Sequence, residues 1–465
     1  MHAHLIPVKD FSDSACPARP DLPTPQEPAA TSSPAAAFTS ADRSAFFSTA
    51  PAVDPAAFDV VPDRRGTASL KWDSAVERGR PEDVLPLWVA DMDHATAPAV
   101  TSALLWRTRH GIFGYSDPDD AYNAALTSWF SRRYGWRVEA GWNTVTPGVV
   151  PALALAVRAL SAPGEAVIIE EPVYYPFREV VEDNGRSVAA VPLVRDADGV
   201  YRRDLAALEA TIEETGSRLL LLCNPHNPVG RVWSRDELTA LDEVASRHGV
   251  VVVADEIHAD LALPGFATTP FASLGEATAA RTITCTSPSK SFNLAGLQVA
   301  NILIADARLR EAFRRELAAT GYSQPNVLGL TACRAAYEGG EAWLDALREH
   351  IAAARAHVEA RLERIEGIEA APCEGTYLLW LDCSGLIDAA GLEADELDDF
   401  MLRQAGLWLD DGRIFGAGGE GFTRINVACA RTTLDAALDR LEAAATAVIA
   451  RAAKTARRGR IALSA

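Results

Sequence analysis

The chain reads as an α/β protein, with a large domain built on a mostly parallel, helix-covered central sheet and a smaller α+β domain. Three observations predict this. Between about 100 and 335, short apolar strands alternate with amphipathic helical patterns, as in a parallel sheet covered on both faces. The runs Ala166-Val167-Ile168-Ile169, Leu219 to Leu222 and Val250 to Val253 are apolar at consecutive positions, which suits strands buried on both sides. Beyond 335 the texture changes to a long helix, two separated strands and a final helix.

Residues 1 to 55 are rich in Pro, Ala, Ser and Thr without hydrophobic periodicity, the composition of a disordered extension. They lack the basic start and continuous apolar stretch of a secretory signal. Residues 56–104 are assigned as a segment packing with the small domain, 105–335 as the large domain, 336–452 as the small domain and 453–465 as a basic tail. Strands are expected near 166–170, 218–223, 250–255, 281–286 and 299–304. The helix after the second of these is punctuated by Ser234 and Glu237 as a capping box and Gly249 as a stop. In the small domain a helix is expected over about 341–366, strands at Thr376 to Asp382 and Thr423 to Ala428, and a last helix over 433–452.

At 465 residues the chain is long enough for two or three cores, and no apolar run approaches bilayer length. The net charge of −19 argues against nucleic acid or an anionic membrane as partner. Arg451 to Arg460 is read as a solvated helix end. Seven cysteines without a Cys-x-x-Cys pair suit neither a disulfide framework nor a zinc knuckle. They fit small core residues in a reducing cytoplasm.

Two residues carry the chemistry. Asp255 ends the Val250–Ala254 run, where open α/β sheets place ligands, and Lys290 follows thirty-five residues later in Thr286-Ser287-Pro288-Ser289-Lys290-Ser291. Pyridoxal phosphate needs an amine to hold its aldehyde as a Schiff base and a carboxylate to keep its pyridine nitrogen protonated. Taken singly, Asp255 is equally a helix cap and Lys290 a surface lysine; the spacing favours the cofactor. Ser287 and Ser289 can donate to phosphate oxygens, or simply shape the turn.

Asn224-Pro225-His226-Asn227-Pro228 forces a non-helical turn that can aim Asn227 at the cofactor's phenolic oxygen. His258 would be a second polar neighbour of that oxygen, against the plainer reading of a satisfied core or surface histidine. Gly148 and Val149 open an apolar helix whose first N–H groups suit a phosphate, a weak signal alone. Tyr174 can stack on the ring or pack in the core. Arg424, a charge in a half-apolar strand, can grip a substrate carboxylate or make a surface salt bridge. Gly416-Ala417-Gly418-Gly419-Glu420-Gly421 matches a dinucleotide fingerprint in spacing only, since a strand and not a helix follows it. It is read as a flexible loop beside Arg424.

Together these segments resemble the fold-type I pyridoxal-phosphate enzymes, the class I/II aminotransferase superfamily, over residues 58 to 452. Trp88-Val89-Ala90-Asp91-Met92-Asp93, His110-Gly111-Ile112-Phe113-Gly114-Tyr115-Ser116, Asp255-Glu256-Ile257-His258 and Ser289-Lys290-Ser291-Phe292-Asn293 look most like the MalY/PatB branch of carbon–sulfur β-lyases. The resemblance implies Lys290 as the cofactor lysine, Asp255 on the pyridine nitrogen, Asn227 on the phenolic oxygen, Tyr174 on the ring and Arg424 on the substrate carboxylate. It implies that Tyr115 reaches the phosphate of a neighbouring subunit, hence a homodimer. His258 stands where aminotransferases usually carry tyrosine, and Gln298 where they commonly carry a phosphate-binding arginine. The lyase branch also lacks that arginine.

The implied reaction is β-elimination from cystathionine or a cysteine S-conjugate, giving a thiol, pyruvate and ammonia. The rival is an aminotransferase, which would use the same site. A regulator retaining the fold is a third reading. Residues 1–55 are too short and too poor in helical pattern for a DNA-binding module.

Overall fold

The computed structural model describes residues 54 to 463, so nearly all of the expected 1–55 extension lies outside the described residues. The central sheet has seven strands: β1 (Asn143–Thr146), β2 (Ala166–Glu171), β3 (Ser187–Pro192), β4 (Leu219–Cys223), β5 (Val251–Asp255), β6 (Thr282–Thr286) and β7 (Ala300–Leu303). Their order is β1-β7-β6-β5-β4-β2-β3, and only β7 runs against the others. The five expected strands are present within a residue or two of their expected limits. β1 and β3 were not foreseen. They lie at the two sheet edges, where β1 carries a single aliphatic residue and β3 alternates exposed with buried positions.

Consecutive apolar residues serve both faces of this sheet. Val167, Ile169, Leu219, Leu221 and Val253 pack with the helix Val149–Leu160, while Ile168, Leu220, Leu222 and Val252 pack with Leu238 and Leu241 of the helix Arg235–His248. That second helix starts on the Ser234–Glu237 capping box and ends at Gly249, whose φ of 63° is left-handed, as its sequence predicts.

The second sheet is antiparallel, ordered β8 (Glu369–Ala370), β9 (Leu378–Asp382), β11 (Phe422–Asn426) and β10 (Asp410–Asp411), with helices Glu341–Leu362 and Arg431–Leu463 beside it. The last helix continues through residues expected as a tail beyond 452. Ala and Arg, frequent in that stretch, are strong helix formers. Leu85–Pro86 pairs in parallel with Leu407–Trp408, and Asn426 N–H donates to Leu87 O at 2.9 Å. The stretch from 85 to 93 thereby lies against this second sheet.

Register does the positioning. Cys223 pairs with Asp255, and Asp255 with Cys285, so the carboxyl ends of β4, β5 and β6 finish level. The loops leaving them open on one edge of the sheet. Among the described residues, no helix is long and apolar enough to cross a membrane.

Candidate active site

A cavity of about 300 Å³ lies on that edge, lined by Ala90, Gly148, Val149, Tyr174, Cys223, Asn227, Asp255, His258, Ser287, Ser289, Lys290 and Gln298, among others. Nine of the sequence-selected residues therefore meet in one place: Lys290, Asp255, Asn227, His258, Tyr174, Ser287, Ser289, Gly148 and Val149.

Lys290 sits in the helical turn Pro288–Ser291 directly after β6. Ser287 caps this turn, its hydroxyl oxygen accepting from Ser289 N–H at 3.0 Å and its proton going to Val299 O at 2.7 Å. In this structure the Ser287 hydroxyl proton is thus directed to a backbone carbonyl. The Lys290 amine donates to the Ala90 carbonyl at 2.6 Å. Burial, with the Arg424 charge nearby, brings this amine down to about 8, against the pull of Asp91 and Asp255.

Asp255 is buried and accepts one backbone hydrogen bond, from Ile257 N–H at 3.1 Å. Burial pushes its carboxyl up to about 7, opposed by that bond and by the Lys290 charge. A carboxylate so poorly solvated has most to gain from a cation placed against it. His258 is held well below its usual range by burial and by the Lys290 and Arg424 charges, so its ring is neutral and its buried Nδ1 has no partner among the described residues. Burial also raises the Tyr174 hydroxyl. Tyr174 N–H donates to Asn227 O at 2.9 Å, tying the two cavity walls together.

Gly148, also in the cavity lining, begins the helix Val149–Leu160 with no side-chain cap. The first N–H groups of that helix are free for an anion.

Arg424 lies behind the lining on β11, buried. It donates through Nη1 to Asn227 Oδ1 at 2.8 Å and through Nη2 to Trp88 O at 3.2 Å, pairs with Asp410, and stacks over Phe415. Its Nε is buried without a partner among the described residues. The expected alternative of a surface salt bridge does not apply. Tyr115 is not brought to the cavity within its own chain. It is 93% exposed, beside Phe113, Tyr322 and Pro325.

The glycine-rich loop is held rather than free, because Ala417 N–H donates to the buried Glu171 carboxylate at 3.0 Å and Phe415 O accepts from Val173 N–H at 2.9 Å. At Gly416 a Cβ would come within 2.6 Å of the Glu171 carboxylate, so glycine lets the loop dock there. All six described cysteines are free and buried, in keeping with core roles.

Sequence reasoning gave no role to Ala90, Asn293 or Asn426. Asn293 accepts from Met92 N–H at 3.1 Å and donates to Met92 O and His94 O, each at 2.9 Å. Asn426 donates to Val89 O and Asp91 O at 2.8 and 2.6 Å. These amides strap residues 88–94 across the cavity and place the Ala90 carbonyl. The available signal was indirect: the Trp88–Asp93 segment and Asn293 both fall in stretches that carry the family resemblance.

An orphaned imidazole nitrogen, an underpaired buried carboxylate, a low-pKa lysine and an uncapped helix start make a chemically coherent set for pyridoxal phosphate. Comparison with known proteins agrees. The family model described as aminotransferase class I and II matches residues 82–441. The chain is 43% identical to the cystathionine beta-lyase PatB of Bacillus subtilis (strain 168), covering 83% of this chain and 99% of that one. It is 35% identical to protein MalY of Escherichia coli (strain K12), covering 81% and 96%. The crystal structure of cystalysin from Treponema denticola, which contains a pyridoxal 5'-phosphate cofactor, superposes with a TM-score of 0.80 at 35% identity, covering 84% of this chain and 99% of that one. By its sequence, its sheet order and the placement of its cavity, this chain belongs to the class I and II aminotransferase family.

Proposed function

We propose that this protein is a pyridoxal-phosphate-dependent carbon–sulfur β-lyase that cleaves cystathionine or a cysteine S-conjugate to a thiol, pyruvate and ammonia. One observation carries the reading: the Lys290 amine and the Asp255 carboxyl open into one cavity at the carboxyl edge of the sheet, in a chain 43% identical to a cystathionine beta-lyase.

When bound, pyridoxal phosphate supplies a protonated ring that takes up the negative charge developing at the substrate α-carbon. Lys290 would hold the cofactor, and its amine, near pKa 8, is suited to accept the proton from the substrate α-carbon. Asp255 would meet the ring nitrogen. Arg424 turns the Asn227 amide so that its oxygen is engaged and its NH₂ is left for the phenolic oxygen, with the neutral His258 alongside. Tyr174 would pack on the ring, and the Gly148–Val149 N–H groups with Ser289 would hold the phosphate. Arg424, behind the Asn227 wall of the cavity, would supply the charge that attracts the substrate carboxylate. Tyr115, exposed here, completes the phosphate site of a second copy in a homodimer.

Supplying purified protein with cystathionine and no keto acid tests the reading. Pyruvate and homocysteine formed in equal amounts support the lyase. Turnover only after a keto acid is added would make the protein an aminotransferase instead.

A further inference from the structure

The Ala90 carbonyl is asked to do two things. It accepts the Lys290 amine at 2.6 Å and also the Tyr377 hydroxyl at 3.0 Å. A carbonyl oxygen has two lone pairs, so these two donors fill it. Neither can shift far, because Asn293 and Asn426 fix the backbone on both sides of Ala90. Tyr377 is 1% exposed, and its hydroxyl is kept protonated by burial, reinforced by the Asp91 carboxylate and opposed by the Arg424 charge. It is therefore a permanent donor to this oxygen.

We propose that Tyr377 is a positioning residue: by occupying one lone pair of the Ala90 carbonyl, it weakens that oxygen's hold on a proton of Lys290 and keeps the amine in its uncharged, proton-accepting form. This rests on the reading of Lys290 as the cofactor lysine. The physical reason is competition. A second donor withdraws electron density from a shared acceptor, and an ammonium loses more by this than a neutral amine, because its hydrogen bond is the stronger of the two. The groups that also face Lys290 are Arg424, which disfavours its charge, Asp91 and Asp255, which favour it, and the neutral His258. Arg424, Asp91 and Tyr174 face Tyr377, and the His258 ring lies 6.1 Å from its own. None of these other side chains is hydrogen-bonded to the Ala90 oxygen.

The test is the pH dependence of cofactor capture by the cofactor-free full-length protein, followed by the visible absorbance of added pyridoxal phosphate. Only the uncharged amine attacks the aldehyde, so the midpoint reports Lys290 directly. Tyr377→Phe is expected to move the midpoint up by about half a pH unit or more, the worth of one hydrogen bond, and to move the acid limb of the kcat profile the same way. Placing 3,5-difluorotyrosine at 377, a stronger donor, is expected to move both down, and decides the matter alone should the phenylalanine variant not fold. An unmoved midpoint, with kcat lowered equally at every pH, would overturn the proposal and leave Tyr377 a packing residue. Should Lys290→Ala still capture the cofactor with the same absorbance, the reading of Lys290 itself is wrong, a failure distinct from that of Tyr377.

Discussion

Arg424 donates through Nη1 to Asn227 Oδ1 at 2.8 Å, linking the second sheet to the loop that follows β4 of the first. A guanidinium can only donate, so this contact settles which way the Asn227 amide turns. The same side chain reaches Asp410 and the Trp88 carbonyl. Arg424→Lys keeps the charge but cannot span all three. A loss in kcat/KM of roughly 10- to 100-fold is expected, the worth of one or two charge-assisted hydrogen bonds, carried mostly by KM. Steady-state kinetics on the best substrate checks it, and an unchanged KM would remove Arg424 from carboxylate binding.

Asp255 trades stability for function. Its folded-state pKa is raised to about 7 by burial. A raised carboxyl binds more protons folded than unfolded, so its contribution to the cofactor-free protein is lost as pH climbs from about 4 to about 7. Asp255→Asn has no charge to bury. Urea midpoints of the two cofactor-free proteins are expected to coincide near pH 4 and to separate toward pH 7, with the variant the more stable. The same variant is expected to bind pyridoxal phosphate more weakly, which equilibrium dialysis measures.

Asn293 is a clamp in a costly conformation. Its φ is 56°, left-handed and unfavourable to most side chains, yet it makes three hydrogen bonds to Met92 and His94. Asn293→Ala loses the bonds and keeps the strain, while Asn293→Gly loses the bonds and relieves it. Chemical denaturation is expected to show the alanine variant less stable than the glycine variant by about 1 kcal/mol. Both are expected to lose activity alike, because both free the 88–94 strap. Equal stabilities would mean that the backbone strain is not real.

Tyr115 is exposed within its own chain, and its proposed place is the partner's phosphate site. Tyr115→Phe and Lys290→Ala homodimers each have two damaged sites. A hybrid of the two has one site with both residues intact. Mixing the inactive variants by reversible unfolding is expected to restore roughly a quarter of wild-type activity, since half of the randomly assorted dimers are hybrids. No recovery would place Tyr115 outside the site.

Much of this was legible in the chain. Leu219–Cys223 and Val251–Ala254 are apolar without interruption because both sheet faces are covered, and that leaves a direct mark on residue type. Asp255 and Lys290 declared themselves because a charge at the end of such a strand or in such a turn is unusual. The edge strands β1 and β3 were not legible, since half-exposed strands tolerate polar residues. The commitment of the Ser287 proton to Val299 was invisible too, because the partner is a backbone atom brought in by β7.

The sequence by itself determined the order of the central strands along the chain and the residue types able to hold the cofactor through local pattern, and the family through the resemblance of its motifs. Tertiary structure alone decided which oxygen receives the Lys290 amine, which way the Asn227 amide faces, and that Tyr115 stands exposed outside the cavity lining of its own chain. Those outcomes depend on backbone carbonyls and on residues hundreds of positions apart, such as Ala90 and Tyr377. A carbonyl is present at every position, so its use as an acceptor leaves no trace in the order of side chains.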